Sequence, residues 1–213
     1  MIRSFAALNQ RMGMNACLLG AAVLISGAAL PDGDHQLFEA CGLKGRLNET
    51  AFTAAITSAR AHGEVPRVLA IADMTRPSSE QRLFVIDLRA HHLLLRTWVA
   101  HGKGSGAARC ERVSNAVGSL CTCAGLMRVG DHIVSPKHGA ALMLRGLDPG
   151  VNDKAEEREI IIHGAEYVGA EQVRANGMIG RSWGCPAVSP AAMRQLLRAL
   201  PAGSLFYVHA ARD

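Results

Sequence analysis

Short apolar segments separated by turn-forming residues follow Pro66, and they constrain the fold more than any other feature of the sequence. Segments of this kind, rich in Val, Ile and Leu and bounded by Gly, Pro or Ser, are typical of β-strands. Strands are predicted at residues 68–72, 83–88, 92–99, 141–144, 159–163 and 204–209. A helix is predicted over residues 190–200, because Pro190 suits a first helical turn. The pattern predicts a mainly β core with attached helices, α+β overall.

Residues 35–62 show a helical periodicity instead. Apolar residues recur there at spacings of three and four. Asn48 suits the start of a helix, and Gly63 suits an end. We therefore expect two helices in a preface that covers residues 31–65.

Residues 1–30 have the layout of a secretory signal. Arg3 and Arg11 precede an apolar stretch, residues 16–30, that ends in small residues and is followed by a polar segment. The stretch has about 15 residues, fewer than the roughly 20 of a membrane-spanning helix. We therefore expect an exported, periplasmic protein that contacts the membrane only through this segment, if the segment is not cleaved.

Composition and charge restrict the possible partners. Hydrophobic residues make up 49% of the 213 residues, which is sufficient for one well-formed core. The formal net charge of +5 favours polyanions. Sites for nucleic acid usually combine basic and aromatic clusters, whereas here the basic residues are scattered and aromatic residues are 4%. We expect no nucleic-acid partner.

The cysteine count indicates a free thiol. In an exported protein Cys17 leaves with the signal, and an odd number remains in an oxidising compartment. The remaining cysteines are Cys41, Cys110, Cys121, Cys123 and Cys185. If Cys185 is the free thiol, the other four allow three disulfide pairings, or all four are small buried residues. A redox dithiol of Cys121 and Cys123 is a further alternative.

No metal and no cofactor are expected, although the chain has nine histidines and six cysteines. The sequence contains no pair of C-x2-C motifs and no H-E-x-x-H motif. Cys121 and Cys123 are too close in sequence for a structural zinc site.

Residues 180–188, GRSWGCPAV, have the features of a nucleophile loop. Gly184 allows a strained turn beside Cys185, where N–H groups can point at a developing oxyanion. A thiol attacks as the thiolate and needs a base. His163 ends an apolar strand segment, where its side chain can line a cleft. Cys185 and His163 are therefore a candidate nucleophile and base, although both residue types also occur in protein cores.

From Leu83 onward the chain resembles the L,D-transpeptidase catalytic domain family (YkuD type), in the branch with a helical preface and a Ser-x-Gly-Cys motif. The matching segments are residues 84–88, 99–106, 114–115, 137–139, 144–153, 162–168 and 180–188. The resemblance implies a catalytic core of β-sandwich or barrel-like form, here residues 66–213.

The resemblance also implies a cysteine acyl transfer on peptidoglycan stem peptides. The thiolate attacks the diaminopimelate carbonyl at the bond to the terminal D-alanine, D-alanine leaves, and the amine of another stem takes the acyl group. With water as acceptor the enzyme would be an L,D-carboxypeptidase. A third alternative is a catalytically silent relative that binds peptidoglycan.

Site roles follow from the same resemblance. His163 is the expected base, and the carbonyl of Gly164 orients its ring. The expected oxyanion N–H groups are those of Trp183, Gly184 and Cys185. Ser182 is expected to support the loop.

Two positions depart from the pattern of many relatives. Trp183 stands where they have histidine, and Ala187 stands where they have arginine or asparagine. Arg181 is the candidate for the missing charge on a substrate carboxylate. His138 is expected on the cleft rim, with a half-buried loop position as the alternative, and Tyr167 is expected either as a cleft wall or in the core.

Overall fold

The computed structural model describes residues 31–211. Its helices are α1 (Pro31–Ala40), α2 (Glu49–Ala61), α3 (Ala170–Asn176) and α4 (Pro190–Ala199), with a 3-10 helix at Lys103–Ser105. Its strands are β1 (Val68–Asp73), β2 (Leu83–Asp87), β3 (His92–Thr97), β4 (Gly125–Ser135), β5 (Gly139–Gly146), β6 (Ile161–Gly164), β7 (Ala187–Val188) and β8 (Leu205–His209). The predicted export signal lies outside the described residues. Within residues 31–211, no helix combines the length and apolarity needed to cross a membrane.

All eight strands form one mixed sheet in the order β3-β2-β1-β8-β4-β5-β6-β7. The pairs β1–β8 and β6–β7 are parallel, and the other pairs are antiparallel. The chain that follows β3 returns to the opposite edge, where Ala100 bridges Ala187 and Gly102 bridges Ser182. These bridges curl the sheet into a near-barrel, and the predicted mainly β core with attached helices is confirmed.

Helices α1 and α2 cover the outer face of the sheet. Asn48 begins α2 as predicted, because its side chain accepts a hydrogen bond from the N–H of Thr50 at 3.0 Å. Phe38 of α1 and Phe52 of α2 meet with ring centroids 5.5 Å apart, and they pack in one apolar cluster with Leu69 of β1. The preface therefore shares a core with the sheet. Its treatment as a separate unit, residues 31–65, stays a prediction.

Strand β1 is buried on both faces, which explains its continuous apolar sequence. Leu69 and Ile71 face the helices, whereas Val68, Ala70 and Ala72 face the inner core. Successive side chains of a strand point to opposite faces, so one strand joins both apolar layers.

Helix α4 closes the inner core near β6. Ser189 caps the helix by accepting a hydrogen bond from the N–H of Ala192 at 3.2 Å, and Pro190 occupies the first turn. Met193 belongs to the inner apolar cluster. A Cβ at Gly164 would lie 3.4 Å from the Cα of Pro190. Helix α4 therefore packs against β6 at the point where the strand carries the candidate base.

Candidate active site

Strands β6 and β7 place the candidate base and nucleophile beside each other. The two strands pair in parallel, with His163 opposite Ala187. Cys185 lies in the loop just before β7, so the same register places it beside the start of β6. There its Sγ donates to the carbonyl oxygen of Glu159 at 3.7 Å. The two candidate residues are neighbours in space on adjacent segments of the sheet.

The loop that carries Cys185 is held by its own hydrogen bonds. The Oγ of Ser182 donates to the carbonyl of Cys185 at 2.5 Å and accepts from the N–H of Gly184 at 3.1 Å. Gly184 has φ 130°, and a Cβ there would lie 2.9 Å from the carbonyl oxygen of Cys121. The turn therefore requires glycine, and the hydrogen bonds of Ser182 join the two sides of the loop.

The segment after β3 holds the loop from the other side. The N–H of Ser182 donates to the carbonyl of His101 at 3.0 Å, and the N–H of Lys103 donates to the carbonyl of Ser182 at 2.8 Å. A Cβ at Gly102 would lie 2.9 Å from the Cα of Gly184. The nucleophile loop therefore packs directly on the backbone of the segment after β3, and this contact restricts the position of Cys185.

His163 is oriented by its neighbours and is only 1% exposed. Its Nδ1 lies 3.0 Å from the carbonyl oxygen of Gly164. A carbonyl oxygen only accepts, so Nδ1 carries the proton and Nε2 presents a lone pair. The ring of His138 stacks on that of His163, with centroids 3.8 Å apart. The tautomer suits a base, and Gly164 makes the contact that its predicted orienting role requires.

Cys185 and His163 each have a backbone partner in this state. The thiol donates to Glu159 and the imidazole donates to Gly164. The hydrogen bonds found among residues 31–211 do not include one between the two side chains. The positive charge of Lys137 acts on both side chains. It contributes a lowering of the pKa of each, smaller than the effect of burial.

Burial sets the protonation of the pair. It raises the pKa of the Cys185 thiol, and the N–H of Ile161 and the charge of Arg158 oppose this change. Burial lowers the pKa of His163, and the hydrogen bond to Gly164 acts in the opposite direction. Both shifts favour a neutral thiol beside a neutral imidazole over a preformed thiolate–imidazolium pair.

The sequence profile of the L,D-transpeptidase catalytic domain matches residues 43–209. The chain belongs to this family. The resemblance stated from the motifs is therefore confirmed, and the matched region includes all of α2 as well as the sheet. No curated protein sequence matches the chain.

Solved structures that are similar to this chain match it at low sequence identity. An L,D-transpeptidase from Mycobacterium smegmatis is 15% identical with a TM-score of 0.42, over 69% of this chain and 60% of that one. One from Xylanimonas cellulosilytica is 15% identical with a TM-score of 0.38, over 72% and 68%. The helical cell shape determining protein from Campylobacter jejuni is 14% identical with a TM-score of 0.46, over 68% and 48%. The chain thus spans about half to two thirds of these relatives.

The two departures from the family motif lie at different depths. Trp183 is 64% exposed, and the ammonium groups of Lys137 and Lys103 lie 4.4 Å and 5.1 Å from its ring centroid. Ala187 is buried in β7 opposite His163. Arg181 donates to the carbonyl of Gly106 at 2.8 Å, so its guanidinium is partly engaged by backbone.

Tyr167 and His138 both lie next to the reactive pair. Tyr167 is half-buried, and burial first and the nearby Cys185 second raise its pKa to about 12. A Cβ at Gly180 would lie 2.7 Å from the Cβ of Tyr167, so the ring packs under the nucleophile loop. His138 is half-buried and stacked on His163. Its predicted role in contacting substrate remains a prediction.

The sequence motifs do not predict the position of Arg158. Its guanidinium donates to the carbonyl of Ser114 at 2.6 Å and to the carbonyl of Cys121 at 2.5 Å. A Cβ at Gly184 would lie 3.2 Å from its Nη2. Arg158 therefore lies directly behind the nucleophile turn. No short motif marks such a residue, because its partners are backbone carbonyls far away in sequence.

The disulfide alternatives left open by the cysteine count are resolved for this structure. All five cysteines among the described residues are free, and four of them are buried: Cys41, Cys110, Cys121 and Cys123. Cys185 is the partly exposed one. The buried four behave as small apolar residues, with Cys110 and Cys123 in the inner core.

Proposed function

We propose that this chain is a peptidoglycan L,D-transpeptidase in which Cys185 is the nucleophile and His163 the base. The observation that carries the proposal is the oriented, buried imidazole beside the partly exposed thiol. Since Nδ1 donates to Gly164, the Nε2 lone pair of His163 is available for a proton from sulfur.

The proposed reaction has two acyl-transfer steps. His163 removes the proton from Sγ of Cys185 as sulfur bonds to the diaminopimelate carbonyl of a stem tetrapeptide. The bond to D-alanine then breaks, and the imidazolium returns the proton to the leaving amine. In the second step the amine of another stem attacks the thioester, its proton passes to His163 and then to the departing sulfur, and a cross-link forms.

The N–H groups of the loop differ in their availability for the oxyanion. The N–H of Gly184 already donates to the Oγ of Ser182. The N–H groups of Trp183 and Cys185 are therefore the better candidates for stabilising the negative oxygen in the transition state.

Export and cell-wall action are part of the same proposal. The predicted signal at residues 1–30 would deliver the chain to the periplasm, where stem peptides are found. Water instead of an amine as acceptor would make the chain an L,D-carboxypeptidase by the same first step.

A silent peptidoglycan-binding relative is a second candidate, and specific observations favour it. Burial raises the pKa of the Cys185 thiol, and Trp183 replaces the motif histidine. A relative of this kind would keep the peptide groove without forming the thioester.

The deciding experiment follows D-alanine and the fate of the donor peptide. Purified protein is incubated with tetrapeptide muropeptides, and products are separated by chromatography and identified by mass. Cross-linked dimers with D-alanine release support transpeptidation, whereas tripeptides alone support hydrolysis. The matched control is Cys185→Ser, which should release no D-alanine and should keep the melting temperature of the parent. Equal release by both proteins would defeat the assignment of Cys185.

A further inference from the structure

Trp183 forms an exposed platform with two lysines beside the nucleophile. The Nζ of Lys137 lies 4.4 Å from the indole centroid, and that of Lys103 lies 5.1 Å from it. Both distances are within the range of cation–π interaction. Two ammonium groups are thereby held at one indole instead of extending freely into solvent.

The two charges of this lysine–indole platform are not neutralised by the protein. Among the described residues, neither Lys103 nor Lys137 forms an ion pair with a carboxylate, although arginines elsewhere on the surface do. Arg181, the sequence-based candidate for carboxylate binding, donates to the carbonyl of Gly106. The lysines are therefore the more available cations at this edge of the site.

The platform lies close to the reacting atoms. Lys137 precedes His138, whose ring stacks on His163. Trp183 is two residues before Cys185 in the nucleophile loop, and the N–H of Lys103 binds the carbonyl of Ser182 in that loop. An anion bound by both lysines would therefore lie beside the nucleophile loop.

We propose that Lys137 and Lys103, arranged around Trp183, bind the free C-terminal carboxylate of the leaving residue. The inference rests on the proposed function, and it makes that function specific. The two ammonium groups would recognise the negative charge of that carboxylate, so a donor peptide that ends in an amide should bind poorly.

The test compares two stem tetrapeptides that differ only at the C-terminus, one with a free carboxylate and one with a carboxamide. Binding to Cys185→Ala protein is measured by calorimetry, so the readout does not depend on turnover. The variants Lys137→Met and Lys103→Met keep the aliphatic length and remove the charge. Lys154→Met is the matched control, because Lys154 is exposed and lies outside the platform.

We expect the carboxylate peptide to bind about tenfold more tightly than the carboxamide. Lys137→Met should remove most of this preference, Lys103→Met a smaller part, and Lys154→Met none, all with unchanged melting temperature. Equal binding of both peptides, a preference that survives in the Lys137→Met and Lys103→Met double variant, or no binding of either peptide would overturn the inference.

The release of D-alanine distinguishes a failure of the transferase proposal from a failure of the carboxylate subsite. Protein with Cys185 intact that releases no D-alanine, yet binds the carboxylate peptide through the lysines, contradicts the transferase proposal and supports the carboxylate subsite. Release of D-alanine at the same rate from tetrapeptide acid and amide supports catalysis and contradicts the subsite.

Discussion

The helix-covered face of the sheet and the β6–β7 edge are built in different ways. Under α1 and α2, one apolar cluster includes Phe38, Phe52, Leu69 and Ile71. At the β6–β7 edge the important contacts are single hydrogen bonds, such as those of Ser182 and Gly164. The apolar residues at this edge hold a few polar atoms in fixed positions.

The difference indicates how each region tolerates change. Apolar layers gain stability in proportion to the area that they bury, so a loss is spread over many contacts. A catalytic geometry depends on particular donors and acceptors, and the loss of one is not shared. Mutations under the helices should therefore lower mainly the stability, and mutations at the β6–β7 edge should lower mainly the turnover.

Replacing the base tests the β6–β7 edge, where single polar contacts matter most. His163→Ala should lower the rate of D-alanine release about 100- to 10,000-fold, because a general base contributes that much. Stability should change far less than turnover. Both are measured on the same preparation, by chromatography and by thermal denaturation. A variant that retains parent activity would remove His163 from the mechanism.

Replacing the centre of the helical layer should give the opposite result. Phe52 is 0% exposed and pairs with Phe38, so Phe52→Ala should lower the free energy of unfolding by about 3–5 kcal/mol. Turnover per folded molecule should stay near the parent value. Chemical denaturation measures the first and active-site titration the second. Val65→Ala, at a side chain 95% exposed, is the control that should change neither.

The pH profile tests whether the pair is neutral at rest. His163 must be unprotonated to act, so the rate should fall about tenfold per pH unit below its pKa. Because burial lowers that pKa, full activity should persist below the ordinary histidine value of about 6.5. The profile of kcat/KM measures the acid limb. A fall in rate on the alkaline side, where an imidazolium would lose the proton that the leaving amine needs, would instead indicate a resting thiolate–imidazolium pair.

Replacing Arg158 tests whether a residue behind the nucleophile loop affects the rate by changing the pKa of the Cys185 thiol. Arg158→Met removes a charge that lowers the pKa of Cys185, so we expect about a tenfold loss of rate. The pH dependence of Cys185 alkylation, followed by peptide mass, should move to higher pH. Arg145→Met, at an exposed arginine, is the control. If the alkylation profile does not move, the role of Arg158 is purely structural.

Much of the fold could be predicted from sequence, because β1, β2, β5, β6 and β8 are continuous apolar segments. Strand β4 could not, since Gly125, Gly130 and Asp131 interrupt its pattern and are disfavoured in strands. Tertiary structure explains one of them, because a Cβ at Gly125 would overlap the carboxylate of Asp148. Helix α3 and the two-residue strand β7 carry too little periodicity to predict.

For the site, the motifs around Cys185 and His163 point to the β6–β7 edge, where both residues lie. They contain no information about Arg158 or about Lys103 beside Trp183. These contacts join a side chain to a distant carbonyl or to an indole face, and neither leaves a characteristic spacing in the sequence. Residues of this kind can be recognised only from the three-dimensional structure.

Strand β8 lies between β1 and β4, in the middle of the sheet, although it is the last strand along the described chain. Until the residues beyond about 200 are synthesised, β1 and β4 have no common neighbour in the sheet. The thiol and its base are both made before that strand. The two strands that hold the reactive pair, β6 and β7, are therefore synthesised before the strand that joins β1 to β4.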